Sequence, residues 1–336
     1  MTDVYEKNLD AKSSLAMTDF IRVVGSDTVS YKQLVSDVAN KIITSYNGAT
    51  LGGSAQTVQA AINGLATKFD SKAIQLIPRC KNITSYMTDG TLWSRIAGTG
   101  GYSAYEDIMP GDYIDMGRTV TCPNIDSGSA GGTGSQYATV VSCGGLYGNG
   151  DSNAVTYNHL VMTAGQGVGG TQHFGRHQMN ATNTTTGGYV GSVMNTAVIG
   201  DVVSSGSVST GATINQQLYY IFSSHLKTTR EILSNAVTDG KSSGWAWTPV
   251  QAVLMSEAEV YGTNVWSSSG YDTGTAYKQF ELFQWSRSAI NNRSAYYWLK
   301  NVVSSSRFAF SYLHGTANYA VASGTDACVR PRFVLA

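Results

Sequence analysis

Two histidines four residues apart, His173 and His177, have the spacing of a pair of zinc ligands on one helix face. Gly175 stands between them, and Gly165, Gly167, Gly169 and Gly170 precede them, a density that works against a helix. No Glu occupies the place of a metalloprotease base, so the pair reads as polar loop histidines. Glu257 and Glu259 alternate, and on a strand they would share one face. Paired carboxylates of this kind, with Asp112 as a third acid, are the groups that glycoside hydrolysis needs. Asp115 lies close to Asp112, and both sit where a turn leads into a strand. No motif sets an opposing acid, which favours structural roles for all of them. A Gly-x-Ser-x-Gly elbow and a phosphate loop are both missing. Gly165-Gln166-Gly167-Val168-Gly169-Gly170 copies part of a dinucleotide fingerprint, but no amphipathic helix follows it. Cys80, Cys122, Cys143 and Cys328 form no Cys-x-x-Cys pair and read as small buried apolar residues, with a Cys122–Cys143 bridge the one pairing left open. No catalytic residue, metal or cofactor is therefore expected.

Recognition chemistry is better represented. Tyr296, Tyr312, His314, Asn318, Tyr319 and Asp326 interrupt apolar blocks near the C-terminus, among them Trp298-Leu299, Phe308-Ala309-Phe310 and Cys328-Val329-Arg330-Pro331-Arg332-Phe333. Tyrosine gives a large amphipathic contact at low entropic cost, and Ser, Gly and Asn give adaptable hydrogen bonds. These six residues are the expected ligand-binding set. Trp298, Leu299, Phe308, Val329 and Phe333 are the expected core beneath them, with Arg330 hydrogen-bonded inside or near it.

The elements that would position these residues fall into two regions. A loose strand around Phe20–Val24 precedes Ser30-Tyr31-Lys32-Gln33, a capping-box sequence, and Leu34, Val35, Val38, Ile42 and Ile43 follow at helical spacing. After Gly52-Gly53, the residues Val58, Ile62, Leu65 and Phe69 make a short heptad-like seam that either packs on its own domain or joins a three-chain bundle. From about residue 73 the pattern turns to strand and loop. Ile74–Ile77, Thr91–Ile96, Thr139–Ser142 and Asn158–Met162 read as strands, and Pro110-Gly111 as a turn into another. Residues 125–135 read as a surface loop. Residues 213–234 carry the strongest internal helix pattern, and residues 250–261 a short strand or helix. The class is α+β.

Composition limits the function. The chain has 336 residues, of which only 13% are charged, and Lys+Arg and Asp+Glu balance at 22 each. Such a chain lacks the basic field that draws nucleic acid or an anionic membrane. Solubility rests instead on Ser, Thr, Asn, 37 Gly and 20 Tyr, a balance common in extracellular fibres and β-rich adhesins. No apolar run is long enough for a membrane span, and residues 1–7 lack the features of a signal peptide. Release by lysis would place such a protein outside a cell without the secretory route.

Five blocks carry a family resemblance: Asn158-His159-Leu160-Val161-Met162; Met179-Asn180 with Gly187-Gly188-Tyr189-Val190-Gly191-Ser192; Leu254-Met255-Ser256-Glu257 with Val260-Tyr261-Gly262; Trp298-Leu299-Lys300; and Val329-Arg330-Pro331. In order and spacing they resemble, over roughly residues 85–336, a domain family of unknown function common in phages and prophages of gut bacteria. Lys300 stands where that family usually has Arg. The ending also resembles the C-type-lectin-like fold of phage tropism determinants. The first 70 residues, through Asp19–Val24, Ser30–Gln33 and Gln56–Asn63, resemble the anchoring segments of phage fibre-like virion proteins, which are commonly trimers.

The resemblance implies a virion-anchoring region over residues 1–48, a helical trimerisation segment over 49–72 and a C-type-lectin-like ligand-binding domain over 73–336. It implies a homotrimeric receptor-binding protein of the virion, made in the bacterial cytoplasm. Its partners would be a host-surface protein or glycan and, through the N-terminus, other virion proteins. Some lectin-like phage proteins are diversified by a retroelement that mutates adenines. Tyr, Asn, His and Asp are accessible outcomes of that process, and the six ligand-binding candidates fit the palette. The calcium-binding motifs of true lectins are absent. A fibre-borne glycan hydrolase using Glu257, Glu259 and Asp112, or a decoration protein without a ligand, are the alternatives.

Overall fold

The computed structural model describes residues 78–125, 133–152, 154–267, 278–291 and 295–336. The expected anchoring and trimerisation segments, the Val58/Ile62/Leu65/Phe69 seam and the Ile74–Ile77 strand lie outside these residues. The described part is mixed and strand-rich, built on a curled antiparallel sheet. Its strands are β1 (Tyr113–Val120), β2 (Ser135–Cys143), β3 (Leu160–Ala164), β4 (Leu226–Lys227), β5 (Thr229–Thr238), β6 (Lys241–Val250), β7 (Ala252–Leu254), β8 (Tyr297–Ser304), β9 (Arg307–Ser311), β10 (Ala317–Val321) and β11 (Pro331–Leu335).

The main sheet runs β1-β2-β3-β11-β4, and β7 pairs with β11 beside β4. Strand β11 is its hub. Leu335 to Arg332 pair with Leu160 to Thr163 on one side, and on the other Pro331–Phe333 meet Leu254–Ala252 while Val334–Leu335 meet β4. All five residues of β11 are buried, as expected of a strand paired on both edges and covered on both faces. Pro331 is tolerated because it occupies the first position, where a missing donor costs least.

Strands β8, β9 and β10 form a second antiparallel sheet in the order β10-β9-β8. Its pleat sorts side chains between two cores. Trp298, Phe308 and Phe310 enter one, with Phe333, Leu254 and Leu160; Tyr297, Leu299 and Ala309 enter the other, with Phe280, Leu282 and Val334. Strands β5 and β6 form a long two-stranded ribbon. Its turn has Asp239 at φ 51° and Gly240 at φ 73°, the left-handed pair that suits the twist of a tight hairpin.

The expected strands at Thr139–Ser142 and Asn158–Met162 correspond to β2 and β3, and Pro110-Gly111 leads into β1. Three expectations are corrected. Thr91–Ile96 is not a strand: residues Leu92–Ala97 are helical, with Leu92 and Ile96 buried four apart and Gly98 closing the helix at φ 76°. The helix expected over 213–234 spans only Ile214–Phe222. A Thr213/Gln216 capping box starts it, and it stops at Ser223, whose φ is 50°. Beyond it, Ile232 and Leu233 pair with Trp247 and Ala246 across the ribbon. Glu257 and Glu259 lie not on a strand but in the first turn of the helix Glu257–Tyr261, capped by Ser256. All four cysteines are free thiols; Cys328 is buried and the other three are partly buried.

Candidate binding surface

The blocks interleaved with the ligand-binding candidates form a rigid frame. Trp298, Leu299, Phe308, Val329 and Phe333 are all fully buried, as expected. The Trp298 indole donates to the His177 carbonyl at 2.8 Å. Arg330 is fully buried, and its Nη1 donates to the carbonyls of Ala289 and Ile290 at 2.9 and 2.7 Å. Its guanidinium also lies 5.0 Å from the centre of the Tyr297 ring.

The other family-like blocks converge on the same interior. Tyr189 is buried, and its hydroxyl accepts the Leu254 N–H at 3.1 Å. Gly188, at φ 61°, lies so close to β5 that a Cβ there would stand 2.4 Å from the Ser234 carbonyl oxygen. His159 is buried; its Nε2 accepts the Leu146 N–H at 3.0 Å, so its Nδ1 donates to the Tyr157 carbonyl at 2.9 Å, and burial lowers its pKa. These residues are joints of the fold.

The expected acids are likewise engaged. Asp112 is buried and accepts the Arg79 Nε at 3.1 Å and the Lys81 and Met109 N–H groups at 3.1 and 2.9 Å. Asp115, at the start of β1, accepts the Gly117 N–H at 2.7 Å and the Gln136 amide at 2.8 Å. Glu257 accepts the N–H groups of Val265 and Trp266 at 3.0 Å and of Ser267 at 3.1 Å. Glu259 belongs to a four-charge cluster that the sequence reading missed: Glu231 and Glu259 against Lys300 and Arg332, all buried. Arg332 Nε donates to Glu259 at 2.8 Å, its Nη2 contacts Glu231, and Lys300 Nζ reaches Glu231 at 3.2 Å. With two charges of each sign, the cluster balances itself away from water.

His173 and His177 sit in irregular backbone. His173 Nδ1 accepts the Gly175 N–H at 3.1 Å, and burial brings its pKa down to about 4. No group of three or more His, Cys, Asp or Glu side chains among the described residues could hold a metal. Gln166 and Gly169 pair across a tight turn, which rules out the dinucleotide-loop reading of that segment. No described helix is long and apolar enough to cross a membrane.

None of the six ligand-binding candidates is buried: Tyr312, His314 and Asp326 are exposed, and Tyr296, Asn318 and Tyr319 are half-buried. They do not share one surface, however. Tyr296 stacks on Tyr312 with ring centres 5.8 Å apart and planes at 15°, and both pack against Phe310. Asn318 is opposite Phe310 in register and so lies on that side of the sheet. The Asp326 carboxylate is close enough to join burial in raising the Tyr296 pKa. His314 sits in the turn between β9 and β10, where its carbonyl accepts the Arg287 Nε at 3.0 Å. Tyr319 faces the other way, edge-on to Trp266 at 4.7 Å and beneath the Arg307 guanidinium at 5.2 Å. Neighbouring strand residues point to opposite faces, so Asn318 and Tyr319 cannot share one. Trp266 was not among the expected site residues.

The described residues thus define a strand-rich α+β domain with aromatic patches on both faces of its C-terminal sheet. The chain matches no protein-family model, no curated protein and no solved structure at a significant level.

Proposed function

We propose that this chain is a phage virion protein of the fibre-like, receptor-binding kind, with a C-type-lectin-like C-terminal domain that presents a variable surface to a host or mucosal ligand. One observation carries the reading. All six palette residues reach solvent, while the blocks between them are buried to 0% at Trp298, Phe308 and Val329. That arrangement lets surface residues change without disturbing the core, as a diversified binding protein requires. The Tyr296–Tyr312 stack, with Asp326 beside it, forms the contact on one face. The first 72 residues anchor the protein to the particle and trimerise it, and many weak contacts then add up to firm attachment.

The hydrolase alternative gains no support from geometry. Asp112, Glu257 and Glu259 are each tied to backbone amides or buried cations, and the groove of about 480 Å³ beside the ribbon tip has Asp239 as its one carboxylate. The test is cell attachment by the purified protein. Replacing Tyr296 and Tyr312 with Ala should weaken attachment by about 2 kcal/mol or more while the thermal melt is preserved. Full attachment by that variant would remove these residues from the site. A reverse transcriptase gene beside a near-copy of the 3′ end, differing at adenines, would establish diversification.

A further inference from the structure

Behind the Tyr296–Tyr312 stack, on the opposite face of the β8–β10 sheet, stands an indole that the core does not account for. Trp266 is 42% exposed, yet its backbone is held firmly. The buried Glu257 carboxylate gathers the N–H groups of Val265, Trp266 and Ser267 and, at 3.0 Å, the Ser267 hydroxyl. Asn301, also buried, braces both ends: it accepts the Glu257 N–H at 2.7 Å and donates to the Ser267 hydroxyl at 3.3 Å. Burying a carboxylate is costly, and here the hydrogen bonds that satisfy it are spent on a loop whose outward product is an exposed tryptophan.

Two further side chains extend the surface. The Tyr319 ring meets the indole edge-on at 4.7 Å and 78°, and the Arg307 guanidinium lies 5.2 Å from the centre of the Tyr319 ring. Arg307 is exposed, and its guanidinium forms no hydrogen bond or ion pair with the described residues, its backbone alone pairing in the sheet. Indole, phenol and guanidinium therefore follow one another along a solvent-facing row. The flat apolar face of a pyranose ring suits an exposed indole, as in other amphipathic aromatic contacts. An exposed guanidinium suits a carboxylate, which it can hold through two parallel hydrogen bonds. A neutral sugar would leave that cation unused, whereas an acidic one completes the row.

We infer that Trp266, Tyr319 and Arg307 form a site for a glycan containing uronic acid, with a sugar ring on the indole and a carboxylate on Arg307. No calcium is involved, because the carboxylate is met by Arg307 itself. The inference rests on the adhesion reading and names a ligand class for it, on a face separate from the Tyr296–Tyr312 stack.

The experiment is calorimetric titration of the full chain, in chelator, with a tetramer of galacturonic acid and with a neutral galactose tetramer. The acidic tetramer should bind and the neutral one bind at least about tenfold more weakly, with Trp266→Ala and Arg307→Gln each losing about tenfold or more. Both side chains are exposed, so both variants should keep the wild-type melt; Arg307→Gln carries the test alone if the indole proves to be needed for folding. Tyr147→Ala, at an exposed ring that neither surface uses, should leave the titration unchanged. Absence of binding by the acidic tetramer, equal binding of the neutral one, or indifference to Arg307→Gln would overturn the site. Cell attachment measured in parallel separates the two readings. Attachment lost in the Tyr296/Tyr312 variant but present without uronate binding overturns this site alone. Uronate binding without any cell attachment supports the site and counts against adhesion.

Discussion

Arg332 Nε donates to Glu259 Oε1 at 2.8 Å, and neither side chain reaches solvent. The same guanidinium contacts Glu231, and Lys300 sits between the two acids, 3.2 Å from Glu231 and 3.8 Å from Glu259. This joins β11, β5, β8 and the helix Glu257–Tyr261 at one point. Arg332→Met should therefore cost about 3–5 kcal/mol, since it strands carboxylates that no longer have a matching cation. Denaturant unfolding of the variant measures it. A loss below about 1 kcal/mol would mean that water reaches the cluster.

Phe308 is the middle of the frame under the Tyr296–Tyr312 surface and is 0% exposed. Phe308→Ala should cost about 3–5 kcal/mol, the sum of lost burial and an incompletely closed cavity. A chemical melt gives the value directly. The adjacent exposed change Tyr312→Ala should cost well under half as much by the same measurement.

Two histidines make the fold sensitive to acid. Burial lowers the pKa of His159, and it lowers that of His173 from 6.5 to about 4. Each ring is neutral in the folded protein, where a nitrogen accepts a backbone N–H, while the unfolded chain takes up protons near the ordinary value. Stability should hold above about pH 6.5 and fall as the pH drops from there towards 4, with His173 contributing at most about 3 kcal/mol. Unfolding free energies across that range check the sign. His173→Gln should flatten part of the slope, and a slope that persists in full would assign it to other groups.

Gly188 should not accept a side chain. Its φ of 61° is costly for Ala, and the new Cβ would lie 2.4 Å from the Ser234 carbonyl oxygen. Gly188→Ala should destabilise by about 1–3 kcal/mol or more, as strain adds to displacement of β5. Gly101→Ala makes a useful comparison, because its φ of 89° is also left-handed but a Cβ there meets nothing within 4 Å. The difference between the two melts isolates the clash.

The frame was legible in the sequence because the apolar blocks at Trp298, Phe308, Val329 and Phe333 are short and dense, and such runs are buried whatever the topology. Periodicity misled where a turn overruled it. Residues 213–234 keep helical spacing, yet Asp239-Gly240 is a strong hairpin signal and turns the second half of that segment into β5. Ser256-x-x-Glu259 is likewise a capping box, and it marks Glu257 and Glu259 as helical from sequence alone. The division of the binding candidates follows from adjacency: Asn318 and Tyr319 are consecutive in a strand. Trp266 and Arg307 carried no such signal. Their meeting with Tyr319 depends on a loop and two strands brought together only by the fold, as does the meeting of Glu231 with Arg332 from 101 positions away.

Strand β11 lies at the centre of the main sheet but follows every other described strand in the chain. Until residues 331–335 leave the ribosome, β3, β4 and β7 each face an empty edge, and the Arg332 cation is missing from between two acids. Completion of the main sheet thus waits on the last of its described strands. Any product that stops within the surface-bearing segment, residues 296–326, lacks the strand that closes the sheet. The surface over residues 296–326 therefore rests on a closed sheet only when the reading frame has survived to Leu335.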